Sequence, residues 1–400
     1  MKLTLLAGLL LAAAIGPAAA QSRLTGKILD AATGLPVPYA SISVLNTTAG
    51  TTSNAEGEFE LKAALPGRLV VSELGHRRDT VAVAAATAPL LVRLQPAAVA
   101  LPEVTTGSYL NELIARAYRQ LRKSYDQKQY GQAFYRQVTQ LAGDATEVQE
   151  MVWDASTGSA GVQGTAFAQG RFAKKKAHIS FINFSIYTKK YVVYSPDDDS
   201  TAKNLVGLHT DQYLRLKLLG VTQSGSQQLV EIGFESKAES KAESTAKRAR
   251  GSMVIDEVTN QLLRLRLETT GQKTKSPNPM FKFKDEMVQL EWVFQPQPSG
   301  TATLYHLKVD YHTNLGRVMK PDIPVHVASF AYFYNGRPTP TAGVTYAPAK
   351  DGEKDLEAIK KTTYDPAFWQ NNPVVKRTPL EDQVMKSFEQ KGAFGTMLTP

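Results

Sequence analysis

From Tyr130 to about Tyr346 the chain is one short β-branched or aromatic run after another, each closed by Gly, Pro, Asn or Asp and none divided from the next by a helical repeat. The clearest runs are Gln132–Leu141, Thr146–Asp154, His178–Phe184, Tyr191–Tyr194, Gln228–Phe234, Gly251–Asp256, Gln261–Glu268, Glu286–Phe294, Thr301–Tyr311 and Val325–Tyr334. Strands that succeed one another through short turns pair antiparallel, so a parallel βαβ fold is excluded and a large curved antiparallel sheet or half-barrel is expected. The segment "GSMVIDEVTNQLLRLRLE" from Gly251 predicts its own hairpin. Thr259-Asn260 closes the turn, Leu263, Leu265 and Leu267 share one face, and Arg264, Arg266 and Glu268 share the other.

Helical spacing enters at two places. Leu110, Leu113, Ile114, Ala117 and Leu121 predict a helix over 107–125 with Ser108 as its cap, and Arg116, Arg119, Arg122 and Lys123 on a solvated side. Near the end, Thr378, Pro379 and Glu381 form a capping-box pattern, followed by Leu380, Val384 and Phe388 as an apolar stripe and Gly392 as a stop. "YDPAFW", with Tyr364, Phe368 and Trp369, is expected to be a loop that packs aromatics onto the sheet. The repeat "ESKAESKAES" over 235–244 has alternating charge and no large apolar residue, which predicts an exposed hairpin tip. The expected organisation is a signal peptide over 1–20, a β-sandwich over 22–95 and a linker over 96–107. A helix-opened antiparallel β domain over 108–346 and a C-terminal extension over 347–400 follow.

The front of the chain, from Gly26 to Leu94, consists of short runs punctuated by turns, the pattern of an all-β sandwich. Pro36 and Pro38 are confined to an edge or strand start, and Phe59 and Leu61 alternate with Glu58, Glu60 and Lys62. Gly26, Asp30, Gly34, Pro36, Pro38, Ala40, Glu56-Gly57, Phe59, Gly75 and Leu94, with "LPEV" at Leu101–Val104, together resemble the carboxypeptidase regulatory-like domain. That is a transthyretin-like β-sandwich common in envelope proteins of Bacteroidetes. "AFYRQ" at Ala133, "GSMVID" at Gly251, "LKVDY" at Leu307 and "YDPAFWQNNPVVKRTPLE" at Tyr364 resemble the long β-rich C-terminal region of Bacteroidetes proteins that carry this module at their front. The resemblance implies an envelope setting. It carries no activity to any residue here.

Lys2, the apolar run Leu3–Ile15 and Ala18-Ala19-Ala20 before Gln21 have the order of a secretory signal peptide. No other apolar stretch approaches the ~20 residues of a spanning helix, so no transmembrane segment is expected after cleavage. The protein is expected to be exported: periplasmic, outer-membrane associated or extracellular. The absence of cysteine rules out an acylated-cysteine anchor, disulfides and thiolate metal sites. A formal charge of +9 favours acidic partners, which for an exported chain means envelope proteins or an anionic glycan or lipid surface and not nucleic acid.

No catalytic motif is present: neither a G-x-S-x-G elbow nor a P-loop lysine, and no histidine pair at zinc spacing. No cofactor and no metal are therefore expected. His306, Asp310 and His312 share a strand face by parity, but the two histidines would stand ~20 Å apart and share no ion. Asp197-Asp198-Asp199-Ser200 lacks the glycine and glutamate of an EF-hand loop. The stretch with the most chemistry is Arg171–Tyr194, in which Arg171, Lys174, Lys175, Lys176, Lys189 and Lys190 alternate with Phe172, Phe181, Phe184, Tyr187, Tyr191 and Tyr194 and no acid intervenes. Cations that bind carboxylate or phosphate beside rings that stack on sugars make a ligand surface, here of Lys174, Lys175, Lys176, Tyr187, Lys189, Lys190 and Tyr191. Core aromatics with lysines along a solvated edge explain the same stretch. The leading expectation is a non-enzymatic envelope protein that binds a partner or anionic surface. A half-barrel carrier of lipid or lipoprotein, or a hydrolase whose site assembles only in space, are the alternatives.

Overall fold

The computed structural model describes residues 22–47, 49–100, 107–177, 179–194, 204–224, 227–237, 248–272, 274, 276, 279–296, 300–350, 354–371 and 374–396. The expected leader, His178, Asp197–Ser200, residues 101–106 of the linker and most of the 235–244 insertion lie outside them. The chain divides into two units, one of 1–96 with 373–376 and one of 97–372 with 377–400.

The first unit is a sandwich. One sheet holds β4 (Glu58–Ala63), β1 (Ser22–Asp30) and β7 (Leu90–Leu94), and the other β3 (Gly50–Thr52), β2 (Ser41–Val44), β5 (Gly67–Ser72) and β6 (Asp79–Val83). Leu24 and Ile28 from β1 meet Ile42, Phe59, Leu69 and Val92 in its core. The residues that carry the resemblance have visible work. A Cβ at Gly26 would collide with the Leu90 carbonyl oxygen and the Phe59 ring, so β1 lies this close to its neighbours only as glycine. Asp30 Oδ1 accepts from the backbone N–H groups of Ala32 (2.8 Å) and Thr33 (2.7 Å), which shapes the turn to Pro36. Its Oδ2 lies 2.9 Å from His76 Nε2, whose Nδ1 lies 2.7 Å from Glu73 Oε2.

The second unit is built on one open sheet of eleven strands, in the order β11-β10-β9-β18-β17-β16-β15-β14-β13-β12-β8. In chain order these are β8 (Ala98–Ala100), β9 (Gln129–Leu141), β10 (Asp144–Gly158), β11 (Gly161–Lys174), β12 (Leu214–Ser224) and β13 (Gln227–Ser236). Next come β14 (Ala249–Asp256), β15 (Gln261–Thr270), β16 (Phe281–Pro296), β17 (Ala302–Arg317) and β18 (Lys320–Arg337). Every pairing is antiparallel, as the succession of strands predicts. The predicted hairpin is β14–β15, with Leu263, Leu265 and Leu267 buried on one face.

The register sorts the sheet into a polar and an apolar face. Arg171, Glu150, Arg136, Phe330, Lys308, Glu291 and Arg266 follow one another across seven strands. One residue along, Met151, Tyr135, Ala331, Leu307, Trp292 and Leu265 form an apolar row on the other face. Helix α1 (Gly107–Lys123) buries Leu113, Ile114 and Leu121 as it packs on β12, β14 and β15, while α2 (Ser185–Lys190) packs on β11 and β17 and α3 (Asp355–Lys360) on β11. The polar face of β10 and β11 is covered by α5 (Pro379–Gln390) and α6 (Ala393–Thr396) through Met385, Phe388 and Phe394. Thr378 and Glu381 make the expected capping box.

Several local expectations are corrected. Phe181–Phe184 is a turn and Ser185–Lys190 a helix, because the aromatics there gather into a cluster and do not alternate along a ladder; Tyr191–Tyr194 joins no strand. The strands β11 and β12 went unforeseen, β11 because its glycines and alanines hide a β pattern. "YDPAFW" is not a loop throughout: Pro366–Asn371 forms helix α4, which buries Trp369. In the C-terminal stripe Leu380 is exposed and Met385 takes the inward position.

Candidate functional site

The basic and aromatic stretch does not form one surface. Lys189 lies on the inner side of α2, with Nζ 3.5 Å from Asp355 and 4.8 Å above the Trp153 ring. Arg171 is buried on the opposite face of the sheet, where its Nε donates to Glu150 Oε2 at 2.7 Å and its guanidinium lies 4.5 Å from the Trp369 ring. Lys175 leans toward Phe388 of α5 (6.0 Å), and Lys174 stands opposite Glu147 at the end of β11. Lys176 and Lys190 are exposed. Tyr187 and Tyr191 do come together, stacked at 5.6 Å with 24° between their planes.

These aromatics brace a feature that composition did not reveal. Phe181 packs against Phe283 (6.2 Å) and Tyr311 (6.0 Å), and Phe184 against Tyr187 (4.9 Å) and Tyr311 (6.2 Å). Phe283 belongs to a three-stranded finger. The pairing of β15 with β16 ends at Met287, and that of β9 with β18 ends at Val325, whereas β16, β17 and β18 continue with one another to Phe281, Arg317 and Lys320. Five further positions at 3.3 Å each carry it ~16 Å beyond its neighbours. A bulge at Asp285 and Glu286 marks its base. There Tyr311 Oη donates to Glu286 Oε2 at 2.9 Å and the Thr274 N–H to Oε1 at 2.7 Å.

The tip is apolar and exposed. Val318 is 80% exposed, Met319 99% and neighbouring Met280 73%. Met319 has φ +55°, a left-handed conformation in which a turn ordinarily places Gly or Asn and which costs an ordinary side chain ~1–2 kcal/mol. Lys282 and Lys320 are exposed around it, Arg317 donates to the Pro321 carbonyl at 2.9 Å, and Lys284 is paired with Asp322 at 2.9 Å.

On the polar face behind the finger, His312 of β17 stands directly opposite His326 of β18, the rings stacked at 4.2 Å and 7°. Asp310, two residues before His312, lies 3.0 Å from His326 Nε2 and 2.8 Å from Lys308 Nζ. Burial alone would raise the Asp310 carboxyl, but His326 and Lys308 outweigh it and lower it; burial and the facing His326 push His312 down, toward the neutral imidazole. Strand parity placed Asp310 and His312 together and missed His326. His306 is buried elsewhere, with Nε2 3.5 Å from Glu291.

Comparison with known proteins bears on the first unit. Residues 24–106 match the model of the CarboxypepD_reg-like domain. The CarboxypepD_reg-like domain is thus the sandwich described above, with its exit segment. No curated protein matches the chain. Among solved structures, a protein of unknown function from Bacteroides fragilis, provisionally described as membrane-associated, is similar over 80% of this chain and 99% of that one, at 10% identity and a TM-score of 0.16. The translocation pore of the P pilus usher (PapC) is similar over 79% and 76%, at 10% identity and a TM-score of 0.13. Among the described residues no helix is long and apolar enough to cross a membrane.

Proposed function

We propose that this is an exported, non-enzymatic protein of the cell envelope that docks on an anionic lipid surface through the β16–β18 finger. The observation that carries the reading is the tip, where Met280, Val318 and Met319 are exposed together inside a collar of Lys282, Arg317 and Lys320. Burying such a side chain in the acyl boundary contributes ~1.5–3 kcal/mol, and each cation near an anionic surface ~1 kcal/mol. Three of each give ~7.5–12 kcal/mol before the entropy of association is subtracted, which fits weak, reversible peripheral binding. The strained backbone at Met319 supports the same reading, since a position that breaks a local rule at a cost in stability is where function is expected. Phe283 and the aromatics behind it hold the finger out, and the stacked Tyr187 and Tyr191 with Lys190 lie on the brace, where they add a second contact to headgroups or glycan.

The carrier alternative needs the apolar face of the sheet open, and that face is filled by Trp292, Leu307 and Leu265 under helices α1 and α2. Cosedimentation tests the docking. The mature chain should pellet with vesicles of phosphatidylcholine and phosphatidylglycerol, less so as salt rises, and Val318→Asp with Met319→Asp should abolish this without lowering the melting temperature. Equal pelleting of wild type and variant would refute it. Export is tested by intact mass, which should begin at Gln21.

A further inference from the structure

The Asp310, His312 and His326 cluster points to a use that the spacing of histidines along the chain argued against. We infer that these three side chains form a binding site for a divalent transition-metal ion of the zinc type, with two imidazole nitrogens and one carboxylate oxygen as ligands. Their candidate ligand atoms all lie within 4.8 Å of one another. Ligands 2.0–2.2 Å from a tetrahedral ion are ~3.3–3.5 Å apart, so the side chains need close by no more than ~1.5 Å. His312 and His326 are both half-exposed and have room for that adjustment, while their backbones sit mid-strand in a continuous ladder and hold the spacing.

The donor set selects the ion. Imidazole favours zinc, copper, nickel and iron over calcium or magnesium, and with one carboxylate and no thiolate the site suits a borderline divalent ion. A cation already occupies part of it: Lys308 Nζ sits 2.8 Å from Asp310 Oδ2, on a side chain 35% exposed. The ion would replace that ammonium. On the neighbouring strand the positions beside Asp310 and His312 are Gln289 and Met287. Three protein ligands at a half-exposed place leave a coordination position for water. The inference is independent of membrane docking, because none of these residues belongs to the tip.

The test is calorimetric titration of the untagged mature chain with zinc chloride, paralleled by the visible d–d absorption of cobalt(II) as a probe of coordination. One ion per chain is expected. His312→Asn with His326→Asn should weaken binding by more than the 10–100-fold that an outer-shell change costs. Asp310→Asn should also weaken it, which covers the case in which the double variant fails to fold as judged by circular dichroism. Lys308→Met should tighten binding, and His306→Asn should leave it unchanged. Absence of saturable binding by wild type, or stoichiometric uptake undiminished in the folded double variant or in Asp310→Asn, would overturn the site.

Discussion

Glu150→Gln is the substitution whose effect the structure defines best. The Glu150 carboxylate is 1% exposed and bridges two buried guanidiniums, with Arg136 Nε and Arg171 Nε each at 2.7 Å. Burial alone would raise its pKa, but Arg171 and Arg136 outweigh that and hold it at about 2. The amide keeps the shape and removes the charge, so two arginines stay buried with one acid each: Arg136 with Glu381 at 3.2 Å and Arg171 with Glu389 at 3.1 Å, both from α5. Breaking a buried ion pair costs ~3–5 kcal/mol, and the surviving acids place this case at the lower end, ~3 kcal/mol. At ~2.1 cal/mol/K per residue, a unit of about 300 residues unfolds with ~0.6 kcal/mol/K, so its melting temperature should fall by ~5 °C. Differential scanning calorimetry reads the shift, and limited proteolysis should release α5 earlier. Replacing the whole triad by Arg136→Met, Glu150→Leu and Arg171→Met should recover part of the loss, since apolar side chains fill the same space and the partly exposed Glu381 and Glu389 are left to water. A shift below ~1 °C for Glu150→Gln, or a triple variant less stable than the single one, would refute the reasoning.

Two further outcomes follow from local geometry. Met319→Asn relieves a left-handed residue and should raise the urea midpoint by the equivalent of ~1 kcal/mol, while vesicle affinity falls about tenfold to a hundredfold with the lost apolar burial; a loss of stability would contradict the turn argument. The Glu73 carboxylate, more than offsetting desolvation and aided by Asp30, raises the His76 pKa above its ordinary value. A folded pKa above the unfolded one means that this stabilisation is complete below about pH 6.5 and fades as pH climbs through the raised value, and His76→Gln should erase that slope from urea midpoints measured across the range.

The parts of the fold that repeat at short range were legible in the chain. The β14–β15 hairpin, the amphipathic α1 and the capped α5 each rest on residues within a few positions of one another, and the sandwich rests in part on turn residues whose hydrogen bonds, as at Asp30, are local. What the chain concealed depends on pairing. Arg171, Lys189 and Glu150 look like ordinary surface charges until the register puts each beside a partner many residues away. His326 is the sharpest case. Counted back from the turn that pairs Arg317 with Lys320, His312 would face Val325, and His326 would lie on the other side of the sheet; an irregularity between Leu315 and Arg317 shifts the ladder by one and brings the two rings together. The finger was hidden for the same reason, since it exists only where β16, β17 and β18 outlast the strands beside them.

The docking of the β16–β18 tip is tested most directly by a fluorophore placed on it. The chain has no cysteine, so Met319→Cys offers one site for an environment-sensitive label, and Val258→Cys, in the exposed turn at the opposite end of the sheet, serves as control. On addition of vesicles containing phosphatidylglycerol, the label at position 319 should shift to the blue and brighten as it leaves water, and the label at position 258 should not change. No shift at 319 under conditions where the protein pellets with the vesicles, or an equal shift at both positions, would contradict docking through the finger.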